Sequence, residues 1–332
     1  MKALIVGGTG FLGHHLVFEL LNLGHRVRIL QRPGRPSPYL PLEKIEVAVG
    51  DLDDAESLIA AAKGCEVIFH AAGYYPVYSL GKRAQIQRAL QQTQNLLNAC
   101  EKAGNVRLIY TSSLGTLASP ADDPNRPSNE EDRLPLKKAT ATYHRIKILM
   151  EQRIEEWAKS KGDAVILIPG GMLGPYDVKP TTGRVVLEVA KKAMPAYVNG
   201  KTSWVDVRDV AKAEIRAAEK AARGERFVLG HWNTTTRDFL EIVAQIAGVP
   251  RPIFPIPFSV AYPAAYLSEF WGKFVARSRA PLLPLVSLDL IRYGVHLDSR
   301  KARALLKFSP GPFTVTIKET LDWFRANGYL KH

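Results

Sequence analysis

Two side chains four residues apart, Tyr143 and Lys147, have the types and spacing to move a proton. On a helix that spacing puts both on one face, within reach of one ligand. A tyrosine titrates near ~10 in water, too high for proton exchange at neutral pH, but a nearby ammonium favours the phenolate and lowers that value. Ser113 ends an apolar run, Arg107 to Tyr110, through Thr111-Ser112-Ser113, where its hydroxyl could hold a substrate oxygen. Tyrosine and lysine at this spacing also recur on solvated helix faces. What gives them meaning here is the set of elements that must position them.

The positioning begins at the first dozen residues. Ala3-Leu4-Ile5-Val6 reads as a buried strand running into Gly7-Gly8-Thr9-Gly10-Phe11-Leu12-Gly13, and Leu16, Val17, Leu20, Leu21 and Leu23 continue at mostly helical spacing until Gly24. Gly7 allows the tight strand exit, Gly10 lets the backbone approach a pyrophosphate, and Gly13 allows close packing of helix on strand; the phosphates then sit at the helix N-terminus. A second strand, Arg26 to Arg32, follows within one βαβ length, which supports a dinucleotide site over a structural turn. Further strands are expected at Ile45–Val49, Val67–Phe69, Arg107–Tyr110 and Ala164–Ile168, with helices at Ala55–Ala62, Ile86–Ala103 and Thr142–Lys159. This alternation predicts an α/β chain with a doubly wound parallel sheet, the Rossmann arrangement, whose carboxyl edge collects the glycine turn, Ser113 and the Tyr143–Lys147 helix.

Beyond Pro169-Gly170-Gly171 the alternation loosens. Helices are expected at Val185–Ala193 and Val210–Ala222, a short strand at Trp204–Val207, and a last sheet strand at Arg226–Leu229. The division that follows assigns residues 1–175 and about 203–230 to the dinucleotide-binding domain, and about 176–202 and 231–332 to a second, smaller α/β substrate lobe.

The 332 residues suit one large or two modest domains, and 46% hydrophobic with 23% charged residues is ordinary for a globular chain. Two cysteines, Cys65 and Cys100, provide neither a disulfide framework nor a metal-ligand cluster, so no metal is expected. The first strand begins at the third residue, and cleavage of a leader would destroy the nucleotide fold, so a cytoplasmic location is expected. The long apolar stretch Ile253–Trp271 contains Pro255, Pro257, Pro263 and Glu269 and is a poor bilayer span, so no transmembrane segment is expected. A net charge of +13 suits an acidic ligand, a polyanion or a membrane surface, yet no compact basic run reads as a nucleic-acid footprint. A membrane-surface role for the stretch around Tyr262 and Trp271 is a minor reading.

An NAD site usually has an acidic residue at the end of the second strand for the ribose diol. This chain has Gln31 and Arg32 there. An arginine offers several donors to a 2′-phosphate, which favours NADP(H), with NAD(H) the alternative; Arg32 as a solvated strand-end charge is the bland reading. Asp51 could accept from the adenine amine while Leu52 packs the ring, or Asp51 could simply cap. Ala71, Ala72 and Gly73 leave room for a flat cofactor across the next strand end.

On these motifs the chain resembles the extended short-chain dehydrogenases/reductases of the NAD-dependent epimerase/dehydratase family, particularly their dihydroflavonol-4-reductase-like branch, which includes hopanoid-associated sugar epimerases. The likeness covers nearly the whole chain and includes Gly174-Pro175, Pro180-Thr181-Thr182-Gly183-Arg184, Val205-Asp206-Val207-Arg208-Asp209-Val210-Ala211 and Ser299 to Pro310. It implies Tyr143 as acid or base, Lys147 as its partner and as a ligand of the nicotinamide ribose, and Ser113 orienting the substrate carbonyl. It places Gly7, Thr9, Gly10, Phe11, Leu12, Gly13, Arg32, Asp51, Leu52, Ala71, Ala72, Thr111, Tyr143, Lys147 and Pro169 around the cofactor, and Gly73, Tyr74, Ser113, Gly171 and Met172 toward substrate. Tyr75, Tyr78, Tyr176, Tyr197 and Trp204 could further shape an apolar pocket, while His70, His144 and His231 have no assigned role.

Four positions depart from the family pattern. Ala89 replaces an asparagine that supports the site, and Ile146 a small serine before the lysine. Ile168 and Gly171 stand where nucleotide-sugar enzymes typically carry an arginine and an asparagine, the latter donating to the sugar diphosphate. The expectation is therefore an NADP(H)-dependent reductase of an aldehyde or ketone. The alternatives are a nucleotide-sugar epimerase/dehydratase and a non-catalytic NAD(P)-binding sensor or assembly protein. The partners expected are a small-molecule carbonyl or nucleotide-sugar substrate and, as an option, a second copy in a homodimer.

Overall fold

The computed structural model describes residues 1–330 apart from 35, 36, 75–77, 80, 81, 140, 277–280, 282 and 283. Its strands are β1 (Lys2–Val6), β2 (Arg26–Gln31), β3 (Glu46–Val49), β4 (Val67–His70), β5 (Arg107–Thr111), β6 (Ala164–Pro169), β7 (Gly171–Leu173), β8 (Ala196–Tyr197), β9 (Lys201–Asp206), β10 (Arg226–Leu229), β11 (Trp232–Thr235) and β12 (Phe254–Pro255). Its helices are α1 (Phe11–Asn22), α2 (Ala55–Ala62), α3 (Lys82–Lys102), α4 (Thr142–Ser160), α5 (Gly183–Ala190), α6 (Val207–Lys220), α7 (Thr236–Ala247), α8 (Phe258–Phe270), α9 (Leu285–Arg292), α10 (Arg300–Leu306) and α11 (Phe313–Ala326).

Seven strands form one sheet in the order β10-β6-β5-β4-β1-β2-β3, with every neighbouring pair parallel. Parallel strands covered on both faces read as near-continuous apolar runs; all six residues of β6 and all four of β4 and β10 are buried, His70 and Arg226 being the polar members. On one face α2, α3 and α4 bury Leu58, Leu96, Ile146 and Trp157. On the other, α1 and α6 bury Leu16, Leu20, Val210 and Ile215. The chain runs outward from β1 to β3 and then returns to place β4 beside β1, so the order reverses at β1 and opens the crevice where ligands bind in such sheets.

A second sheet, β11-β9-β7, packs with α5, α7 and α11 around Leu187, Phe239, Leu240, Ile317 and Phe324. The strand expected near Trp204 is β9 of this small sheet, and the helix after it starts at Val207 because the Asp206 carboxylate accepts the Arg208 backbone N–H and caps it. The strand expected at Arg226–Leu229 is the edge of the large sheet, paired parallel with β6. A smaller cluster around Ala261, Ala265, Leu285 and Leu288 joins α8 to α9.

The glycine turn shows why its spacing matters. Gly7 has φ +95°, and a Cβ there would lie 2.7 Å from the Ala72 nitrogen, so the exits of β1 and β4 touch through backbone alone. A Cβ on Gly13 would fall 2.1 Å from the Gly7 carbonyl oxygen. Gly13→Ala is therefore expected to destabilise the fold by about 1–3 kcal/mol and to weaken nucleotide binding. A denaturation midpoint measured with a cofactor titration checks it, and an unchanged midpoint would remove the close-packing account.

Candidate active site

The end of β5 and the first turn of α4 meet at the carboxyl edge of the sheet. There the Tyr143 hydroxyl donates to the Ser113 Oγ at 2.9 Å, and the backbone N–H of Gly115 donates to the same oxygen at 3.1 Å. With its oxygen accepting twice, the Ser113 hydroxyl keeps its own hydrogen for a further acceptor. Both side chains are buried, so a reacting oxygen beside them would be largely shielded from water.

Lys147 follows one turn along α4, fully enclosed, with its Nζ 5.8 Å from the centre of the Tyr110 ring and 4.0 Å from where a Cβ on Gly73 would stand. Its amine therefore faces the end of β4, beside Ala72 and Gly73. Burial pushes the ammonium down to about 8, and the Glu151 carboxylate, a further turn along the same helix face, opposes that loss of charge. Glu151 in turn accepts from the Ser112 hydroxyl and pairs with Arg226 at 2.5 Å. Arg226 also meets Glu155 at 3.2 Å and donates to the Glu130 carbonyl, forming a buried ionic layer beneath the site.

The shape of the protein at this edge suits a nucleotide. Gly10 is the exposed N-cap of α1; no side chain caps the helix, no acid lies in its first turn, and a Cβ on Gly10 would meet only the Gly7 carbonyl oxygen at 3.1 Å. An uncapped helix N-terminus behind a bare backbone fits a pyrophosphate. Phe11 and Leu12 begin the helix there, Thr9 stands half-buried before it, and Ala71 and Ala72 close the crevice with little side chain. Arg32 and Asp51 end β2 and β3 side by side, Nε to Oδ2 3.9 Å, with the Arg32 side chain 60% exposed. Asn95, buried on α3, donates to the Leu52 carbonyl at 2.9 Å and so holds the Asp51-Leu52 loop.

Several residues of the expected site have other occupations. The Thr111 hydroxyl donates to Glu214 of α6 at 2.7 Å; burial pushes the Glu214 carboxyl up to about 8. Pro169 ends β6 beside Leu229, Tyr74 packs against the first core, and Met172 packs against the second. Trp204 stacks on Phe239 with ring centres 4.0 Å apart, and Tyr176 packs on Phe18 at 5.2 Å. Tyr75 lies outside the described residues. Burial holds His70 down to about 3 and His144 down to about 4, so neither carries a charge near neutrality. Ala89 is fully buried between α3 and α4, with no polar side chain in place of the family's asparagine.

A chamber beside the site has no counterpart in the sequence motifs. A cavity of about 800 Å³ borders the start of α4 and is lined by Ser79, Thr142, Phe258, Tyr262, Arg292 and Tyr293 among others. Tyr293 lies edge-on to His144 at 5.6 Å, and His144 edge-on to Tyr143 at 5.9 Å, so a chain of rings connects the chamber wall to the phenol. Most of these residues come from α8 and α9, whose local pattern carries no catalytic motif.

The glycine turn, the phenol–hydroxyl pair and the buried lysine share one sheet edge, and residues 3–230 match the model of the NAD-dependent epimerase/dehydratase family. The chain belongs to that family. It is thus an NAD(P)-dependent enzyme of the epimerase, dehydratase and reductase group. Within the NAD-dependent epimerase/dehydratase family it is 32% identical to a Synechocystis sp. protein with a provisional dihydroflavonol 4-reductase name, across 98% of this chain and 95% of that protein. It is 29% identical to sterol demethylase protein B of Methylococcus capsulatus, across 99% of this chain and all of that protein. The crystal structure of a nucleoside-diphosphate-sugar epimerase from Pseudomonas aeruginosa superposes with a TM-score of 0.82 at 27% identity, covering 100% of this chain and 99% of that one. Among the described residues no group of side chains could hold a metal ion, and no helix is long and apolar enough to cross a membrane.

Proposed function

We propose that this chain reduces an aldehyde or ketone with NADP(H), with Tyr143 as proton donor and Ser113 as the group that holds the carbonyl oxygen. An oxygen set beside the 2.9 Å Tyr143–Ser113 pair takes a hydrogen bond from Ser113 and the proton from Tyr143. Lys147, an ammonium below about pH 8, favours the phenolate left behind and can hold the nicotinamide ribose. When bound, the nicotinamide supplies the hydride. Gly7, Gly10 and Gly13 are suited to hold the pyrophosphate, and Asp51 and Leu52 the adenine.

The observation that carries the choice of a reductase lies at Gly171. A Cβ there would be 2.7 Å from the Trp204 ring, and that ring is held by its stack on Phe239, so no side chain fits at the position. A sugar diphosphate would lose a donor that nucleotide-sugar enzymes supply from this place, and a charged group left unpaired on burial is costly. In the neighbouring chamber the rings of Phe258, Tyr262, Tyr266 and Tyr293 stand beside Lys82, Asp289 and Arg292, a lining that suits a carbonyl compound with an aromatic or apolar part and polar groups. The likeness to the Pseudomonas nucleoside-diphosphate-sugar epimerase favours the epimerase alternative; retention of Tyr143, Lys147 and Ser113 argues against a non-catalytic binding protein. The test is NADPH consumption with a panel of aldehydes and ketones, set beside interconversion of nucleotide sugars. Turnover of nucleotide sugars alone would overturn the reductase reading.

The NADP(H) preference rests on Arg32, which follows β2 where NAD sites usually carry an acid, although the Asp51 carboxylate stands 3.9 Å from its Nε. A hydrogen bond to a charged group contributes about 1.5–3 kcal/mol, so Arg32→Ala is expected to weaken NADPH binding by roughly 10- to 100-fold and NADH binding far less. Fluorescence titration of both reduced cofactors checks this, and equal losses would reassign Arg32 to a solvated charge.

A further inference from the structure

The outer face of α8 and of the π-helical turn that continues it, Trp271–Val275, is an apolar ridge turned to solvent. Val260, Leu267, Phe270, Trp271, Phe274 and Val275 are each between 52% and 70% exposed. Their spacing keeps them on one stripe, while Ala261, Ala265 and Glu269 face inward. Soluble chains rarely leave so many large apolar side chains side by side in water.

The charges around the ridge state what it faces. Along α8 and its π-helical continuation, Phe258 to Val275, the charged residues are one cation, Lys273, and a single acid, Glu269. That acid is 0% exposed, and its two oxygens accept the backbone N–H groups of Ser79 at 2.8 Å and Leu285 at 3.0 Å. Among the described residues, the outward face therefore presents aromatic and aliphatic groups with the cation of Lys273 and no carboxylate, on a chain of net charge +13. Apolar and aromatic side chains with cations beside them suit an anionic bilayer, where tryptophan and phenylalanine enter the headgroup boundary and cations meet lipid phosphates. The helix has 13 residues and contains Pro263, too few and too broken to span.

We propose that α8 and its π-helical extension dock this protein on the surface of an anionic membrane, with the ridge from Val260 to Val275 lying in the plane of the interface. The other side of the same helix, through Phe258, Tyr262 and Tyr266, walls the chamber beside Thr142, so docking sets that chamber one helix thickness from the lipid. A corollary, which rests on the reductase reading, is that the carbonyl substrate enters the bilayer through its apolar part.

Flotation of the full chain with vesicles tests the docking without reference to turnover. Vesicles of phosphatidylcholine containing phosphatidylglycerol are expected to carry the protein, phosphatidylcholine alone about tenfold less, with the difference shrinking at high salt. Brominated lipid is expected to quench tryptophan fluorescence in the native chain and not in Trp271→Phe. A Leu267→Gln, Phe270→Ser, Trp271→Ser chain, altered only at exposed positions, is expected to lose flotation while keeping cofactor binding. No flotation of the native chain, or equal flotation of the triple variant, overturns the proposal. A native dimer that the triple variant converts to monomer, without flotation, assigns the ridge to a second copy instead. Flotation without turnover of any carbonyl compound would overturn the reductase reading alone.

Discussion

Tyr143→Phe is expected to lower kcat for carbonyl reduction by about 10²- to 10⁴-fold while leaving NADPH binding largely intact. The substitution removes one oxygen from a buried ring that packs edge-on against His144, so the fold has no reason to change. Ser113 stays in place, because Gly115 still donates to it. What disappears is the proton at the point where charge develops on the substrate oxygen. In the native enzyme reduction is also expected to fall as pH rises through about 8, since Lys147 then becomes neutral and ceases to favour the phenolate. The sign follows from protonation, the ammonium existing below that value and being lost above it, while burial sets where the loss occurs. Single-turnover measurements of cofactor oxidation across pH check both results. Native turnover in the Tyr143→Phe chain would remove tyrosine from the chemistry.

The second large effect lies below the site. Arg226→Met is expected to destabilise the protein by about 3–5 kcal/mol, a substantial part of the roughly 5–15 kcal/mol typical of a domain. Arg226 is 5% exposed and pairs with Glu151 and Glu155. Removing it leaves Glu151, equally buried, without its cation, although the Ser112 hydroxyl still donates to it. Glu155 retains Arg133 at 2.7 Å and should tolerate the change better. The double variant Arg226→Met, Glu151→Leu is expected to recover part of the loss, because a buried pair replaced by apolar groups is far less costly than half a pair. Chemical denaturation of the three chains gives the comparison. A single variant as stable as the native chain would show that the ionic layer carries no folding energy.

The glycine turn and the Tyr143–Lys147 pair are legible in residue order because each depends on local backbone geometry. Gly7 and Gly13 are constrained by atoms within the same turn or on the adjoining strand end, and the tyrosine and lysine stand one turn apart on α4. The strands of the large sheet are legible for a similar reason, since a strand buried on both faces is apolar along most of its length. Trp204, expected in the pocket, instead stacks on Phe239 and closes the position beside Gly171. Nothing local to Trp204 could say so, because Phe239 belongs to α7 and the two meet only when the small sheet is covered. The chamber escapes the sequence for the same reason: α8 and α9 bring Phe258, Tyr262, Arg292 and Tyr293 to the start of α4 from more than a hundred residues away.

By itself, then, the sequence determined the parallel sheet, the cradle for a nucleotide and the family to which the chain belongs, all of them properties of short segments whose spacing has one physical use. Tertiary structure alone decided that Ser113 meets Tyr143 at hydrogen-bonding distance, that Glu151 and Arg226 lie buried beneath Lys147, and which aromatic rings enclose the chamber. These depend on side chains distant in sequence competing for the same space, and close packing settles that competition only once every element is in place.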